Sequence, residues 1–363
     1  MFYNRFRRTT SDGTYIPEID GLRFIAIWTV VLTHIFHLIA IKNNLSFNHF
    51  LWTPIAIGGQ GVQLFFVISG YILAKPFFLK SKNVNLKKYF MRRITRLEPP
   101  YILAMTLFFF ILIFLNKYQF MDLIDNYFFS ILYMHNIVYG KGSDINTVAW
   151  SLEVEIQFYI LMPILALFLK KAGKYQLITL VLLIIVFITS SQIFDFYYRT
   201  IFAQIQYFMI GIVLVLLKQD PIFRINKYID ILVGGVSLVV ILFLNRELGI
   251  FNELIFCFFI FAFYFIVLNG VIWKKVMSLP LFSLIGGMCY SIYLLHYPIV
   301  SFVGTYLINV SNKYNLIQSV SLLSIFAITS LIVLFISSIY FLFVEKPCMD
   351  PLWIEKIKSK IKI

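Results

Sequence analysis

Long apolar runs separated by short polar turns dominate this chain. Stretches near 22–41, 55–79, 99–116, 149–169, 175–194, 200–217, 228–244, 251–273, 282–308 and 317–344 each approach the roughly 20 residues a helix needs to cross a bilayer. The pattern predicts an all-α polytopic integral membrane protein with about ten transmembrane helices. Gly and Pro inside the second and ninth runs predict broken helices, with Pro298 breaking the ninth; such breaks persist where neighbours or a cavity satisfy the freed backbone groups. The apolar run after the basic start "MFYNRFRRTTSDGTYIPE" has no small-residue cleavage pattern, so an uncleaved first helix is expected.

The loop charges orient the spans. On one face they gather in groups, such as Lys87, Lys88, Arg92, Arg93 and Arg96, then Lys170 and Lys171, then Lys274 and Lys275. Loops of the other face carry isolated charges, among them Lys117, Lys141 and Arg246. Positive residues accumulate on the cytoplasmic side, so both termini are expected there, in a multi-pass protein of the plasma (inner) membrane. The longest external loop, 117–148, is rich in aromatics and reads as a segment able to dip back into the membrane. Residues 1–363 are expected to form one membrane domain, with a core over 18–347 and short basic tails.

Composition agrees: 60% of residues are hydrophobic and 13% charged, with a mean hydropathy of +0.86. The net charge of +14 does not point to nucleic acid, because the Lys and Arg lie between apolar runs rather than in one patch; membrane lipid is the expected neighbour. Cys257, Cys289 and Cys348 have no metal-ligand spacing, and no metal site or disulfide is expected.

The candidate chemistry is carried by ionisable residues inside the spans, which hydrocarbon penalises. Arg23 and His34, in "IDGLRFIAIWTVVLTHIFHLI", fall within roughly 20° of one another on a helix and about 16 Å apart along it. Arg23 would sit at the cytoplasmic edge, as a ligand-binding group or a snorkelling anchor, and His34 in the outer half, as a functional imidazole or a bonded interface residue. His37 points about 60° away. In "AWSLEVEIQFYILMP", Glu155 would lie about 8 Å below the outer surface, near the depth of His34, so the two could meet; Glu153 is about 200° around the helix from it. His296, in "CYSIYLLHYPIV", falls at similar depth and is either a third member of that cluster or an aromatic-belt residue beside Tyr290, Tyr293 and Tyr297. Arg92, Arg93 and Arg96 precede the third span. Arg93 and Arg96 are one turn apart, suited to forked phosphate contacts or to lipid headgroups. With Arg23 they suggest a cytosolic ligand with phosphates at one end and a reactive group on a slender arm.

Five segments carry a resemblance: "EIDGLRFIAI" with Arg23 and His34, "GVQLFFVISGYIL", "RRITRLEPPY", "WSLEVEIQFY" and "YSIYLLHYP". They are similar, in order, to motifs of the acyltransferase 3 family of bacterial integral-membrane acyltransferases, which acylate surface polysaccharides from cytosolic acyl-CoA. The resemblance implies His34 and Glu155 as catalytic residues and Arg23, Arg93 and Arg96 as donor-binding residues. Asp20, Ser69, Arg92, Trp150 and His296 are secondary candidates. Acyl-CoA, with acetyl favoured, is implied as donor substrate without a bound cofactor. The implied acceptor is a hydroxyl of a surface polysaccharide or lipid-linked glycan, with envelope-assembly partners alongside. Glu155 would orient His34, the general base or acyl relay. Two departures stand out. Gln63 occupies a position where many members carry Asp, and no attached extracellular esterase-like domain is expected, so completion of the reaction by this chain or a partner is expected. The rival functions are a transporter or flippase for a glycan or lipid-linked sugar, and a glycan polymerase or assembly partner.

Overall fold

In the computed structural model the described residues are 6–9, 15–43, 52–79, 84–193, 199–217, 225–314, 318–350, 353 and 355. The extreme basic tails expected at both ends lie outside them. The long helices are α1 (Pro17–Asn43), α2 (Gly61–Phe78), α3 (Leu86–Phe114), α4 (Phe120–Ile131), α5 (Trp150–Lys171), α6 (Gln176–Ile193) and α7 (Ile201–Leu217). They continue with α8 (Lys227–Phe243), α9 (Ile250–Asn269), α10 (Pro280–Gly287), α11 (Cys289–Ile299), α12 (Thr305–Lys313) and α13 (Gln318–Tyr340). Among the described residues eight helical stretches are long and apolar enough to cross a membrane, and α7 is apolar but shorter. Large apolar side chains such as Ile164, Leu167, Leu232 and Phe343 face outward, as a lipid-facing surface requires. The chain is a multi-pass all-α membrane protein.

α1 begins with Pro17, whose fixed φ suits a first helical turn, followed by Glu18 and Asp20 at the positive end of the helix dipole. It borders two cores. One gathers α2, α5, α7 and α9 around Phe66, Phe158, Phe208 and Tyr264. The other gathers α3, α11 and α13 around Tyr101, Phe108, Ile292 and Phe341. Helices approach closely through glycine: a Cβ at Gly70 would overlap the Phe208 carbonyl, and one at Gly286 the carbonyl of Asp20.

Several expected boundaries shift. The third span begins at Leu86, capped by Asn85 accepting from the Lys88 amide at 2.9 Å, so Arg92, Arg93 and Arg96 ride on the helix rather than ahead of it. The second span enters through two short turns, Thr53–Ala56 and Gly58–Gln60, before α2. The ninth is interrupted at Met288, between α10 and α11, and not at Pro298. The chain continues past Pro298 into a π-helical turn, Val300–Gly304, and the Leu294 carbonyl that Pro298 leaves free accepts from Asn146 Nδ2 at 2.9 Å.

α3 also passes through Pro99 and Pro100 without stopping. Pro99 releases the carbonyl of Thr95, four residues back, and the Trp353 indole donates to it at 3.0 Å. Tyr290 and Tyr340 donate to the carbonyls of Leu97 and Pro100, so this stretch is held by side chains from elsewhere in the fold.

The external loop folds as the twelve-residue α4 and a short helix, His135–Tyr139. At about 18 Å, α4 is too short for a span. It buries Leu123, Asn126 and Ser130 and exposes Phe120, Met121 and Phe128.

Candidate active site

A cavity of about 1010 Å³ opens between α1, α2, α3, α5 and α11. Its basic lining is formed by Lys75 on the last turn of α2, by Lys88, Arg92, Arg93 and Arg96 on the first turns of α3, and by Arg8. Val62, Phe66, Ser69, Ser151, Glu155 and Tyr293 also line it.

In the basic lining, the Arg93 guanidinium lies 4.0 Å from the centroid of the Tyr89 ring and donates to the Tyr89 carbonyl at 3.0 Å. Arg96 and Arg8 each bury an Nε with no hydrogen-bond partner among the described residues. Arg23 is buried and donates to Asp20, whose same oxygen takes Arg8 at 3.5 Å. Glu345, another cavity carboxylate, accepts from the amide and hydroxyl of Ser291. Four carboxylates, Asp20, Glu155, Glu345 and Glu355, therefore face seven cations around the cavity, an excess of positive charge that favours an anion. Arg23, Arg92, Arg93, Arg96, Asp20, Ser69 and Glu155 all line it.

His34 and Glu155 do not meet. The two glutamates of "WSLEVE" diverge, as their angular separation on the helix requires. Glu153 is buried toward the external loop and accepts from the Asn136 amide at 2.8 Å. Glu155 points into the cavity, where Ser69 Oγ donates to its Oε1 at 2.6 Å and Tyr159 Oη donates to the same oxygen at 2.7 Å. The expectation that Glu155 orients His34 is corrected by packing: α5 lies against α2 and α7, so its inward carboxylate finds Ser69 on α2.

His34 pairs instead with His296. Their ring centroids are 5.2 Å apart, and Tyr297 meets His34 edge-on at 5.1 Å. His296 is fully buried, and its Nδ1 lies 2.8 Å from the Tyr293 carbonyl and 3.0 Å from that of Ile292. Carbonyls only accept, so Nδ1 carries the proton and Nε2 is left as a lone pair, with no partner among the described residues. His37 is exposed on α1. Trp150 opens α5 edge-on to Phe66, and its carbonyl accepts from Asn136 Nδ2 at 3.1 Å.

Neither His34 nor His296 lines the basic cavity. Tyr293 lines the cavity one helical turn before His296, about 4.5 Å along α11, with its ring centroid 6.4 Å from that of His296. Its Oη is fixed by the Val148 carbonyl at 2.6 Å and Ser151 Oγ at 3.1 Å. The sequence alone assigns no site role to Tyr159, Tyr293, Lys75, Lys88 or Arg8, although all five line the cavity. Tyr159 carried a signal, since it stands one helical turn from Glu155; Arg8 carried little beyond a place in a basic run. Among the described residues no group of three or more His, Cys, Asp and Glu could hold a metal ion.

A family profile described as an acyltransferase domain, Acyl_transf_3, matches residues 16–342. A Staphylococcus aureus (strain COL) protein named "Putative O-acetyltransferase SACOL0978" is 27% identical, the match covering 81% of this chain and 52% of that protein. The O-acetyltransferase OatA of Staphylococcus aureus (strain NCTC 8325 / PS 47) is 26% identical, over 80% of this chain and 52% of its own length. The chain thus spans about half the length of the curated relatives it matches. No solved structure matches it. With the family profile running from the start of α1 into the last turns after α13, the chain belongs to the acyltransferase 3 family.

Proposed function

We propose that this protein is a membrane O-acyltransferase that takes an acyl group, acetyl in the first instance, from cytosolic acyl-CoA and delivers it to a hydroxyl of a cell-surface polysaccharide or lipid-linked glycan. The observation that carries the donor half is the basic cavity, with arginine donors left open at Arg8 and Arg96 and polar groups at Ser69 and Glu155 in the same lining. An acyl-CoA has the matching polarity, with phosphates at one end and a thioester on a long arm at the other. Arg93 and Arg96, with Arg23 and Arg92, are the phosphate-binding residues in this reading. His34 and His296 form the acceptor-side base, the open Nε2 of His296 being free to take a proton. O-Acetyltransferase names among the relatives favour acetyl as the group moved. The basic cavity faces the cytosol and the protein resides in the plasma membrane, with one acyltransferase domain and both termini cytoplasmic.

The test compares envelope glycans and lipids, by mass spectrometry, from cells expressing the native protein or His34→Ala at matched membrane levels. An acyl mass increment found only with the native protein supports the reading and identifies group and acceptor. Identical spectra with abundant folded protein and acceptor would turn the reading toward a transporter or flippase.

A further inference from the structure

We propose that Ser69 takes the acyl group from the donor as an acyl-serine, with Glu155 as the base that receives its proton. The proposal rests on the acyl-CoA reading above. A hydroxyl inside an apolar helix usually donates to its own backbone one turn earlier, as Thr95, Thr106, Thr189 and Ser338 do in this protein. Ser69 donates across to a carboxylate on another helix, at 2.6 Å. That is the resting geometry of a base-activated nucleophile, with the base itself oriented by a third group, here Tyr159. Ser69 and Glu155 are half-buried and line the donor cavity, so a thioester in that cavity has access to both. The backbone beneath Ser69 is fixed, because the adjacent Gly70 packs directly on the Phe208 carbonyl.

An intermediate also lets CoA leave before the acceptor is engaged. The histidines assigned to the acceptor do not line the cavity that would hold the donor. In the first step the Ser69 Oγ to acyl-carbon bond forms while the acyl-carbon to sulfur bond breaks. The Oγ proton passes to Glu155 and on to the departing thiolate, and CoA leaves as the free thiol. In the second step an acceptor hydroxyl attacks the serine ester: its oxygen bonds to the acyl carbon while the Ser69 Oγ to acyl-carbon bond breaks, and the hydroxyl proton passes through Glu155 to Ser69 Oγ.

The experiment uses the purified full chain in lipid nanodiscs with radiolabelled acetyl-CoA and no added acceptor. The expected result is a burst of free thiol equal to the amount of protein, with label retained on the peptide containing Ser69. Ser69→Ala should lose burst and label yet keep the rise in Tm that acetyl-CoA gives the native protein. Ser69→Cys should regain label in a form that neutral hydroxylamine removes, and Glu155→Gln should slow labelling by about 10²-fold or more. Label on another residue, or thiol release by Ser69→Ala at the native rate, overturns the proposal. So does native protein that releases thiol only once acceptor-bearing membranes are added and never holds label. If acetyl-CoA neither raises Tm nor yields thiol even with those membranes present, the donor reading fails and takes the proposal with it.

Discussion

The imidazoles of His34 and His296 stand with centroids 5.2 Å apart, one on α1 and the other on α11, and the open Nε2 of His296 belongs to that pair. Replacing either by alanine is expected to lower acceptor acylation by about 10²-fold or more. The double variant should fall little below the worse single one, because groups acting as a unit lose their function together. Acceptor acylation measured in membranes at matched protein levels checks both statements.

Arg93 and Arg96 should separate donor binding from chemistry. Arg96→Ala is expected to raise KM for acyl-CoA roughly tenfold, with a smaller change in kcat, the pattern for loss of uniform binding. Arg93→Lys should behave similarly, because an ammonium cannot reproduce the flat stack on Tyr89. Steady-state thiol release against acyl-CoA concentration gives both constants.

Trp353 fills a hydrogen bond that Pro99 vacates. Trp353→Phe should destabilise the protein by about 1–3 kcal/mol through the unpaired Thr95 carbonyl. Since that carbonyl is adjacent to Arg96, KM for the donor should rise as well. A lower thermal midpoint in detergent and an altered KM would appear together.

Gly70→Val would press a branched side chain into the Phe208 carbonyl. Overpacking of this kind costs about 1–3 kcal/mol or more, so the variant should show reduced yield of monodisperse protein after extraction. Ser69 would be displaced with it, so thiol release per folded molecule should drop too.

Much of this arrangement was legible in the sequence, for a physical reason. Hydrocarbon demands long apolar helices and tolerates few charges, so runs such as 22–41 and 251–273 announce themselves and Arg23, His34 and His296 stand out against them. The depth of a residue also follows from counting, and His34 and His296 do come together. Counting gives only one coordinate, however. Glu155 was assigned to His34 because their depths matched, but which helix packs against which decides the azimuth, and α5 turns its carboxylate to α2. Boundaries were blurred where the polar face of a span reads as a loop, as at Leu86–Arg96, or where a proline's lost bond is made good elsewhere, as at Pro99 and Pro298. Nothing near Thr95 announces that Trp353 will complete it.

The placing of Tyr293 has a bearing on the membrane itself. A reaction centre wetted from both faces would be a leak, through which protons would run down the gradient that powers the cell. Tyr293 is pinned by Val148 and Ser151, and neither His34 nor His296 lines the cavity that it borders. In the acyltransferase reading proposed above, a side chain held at that position would help to keep the bilayer an insulator.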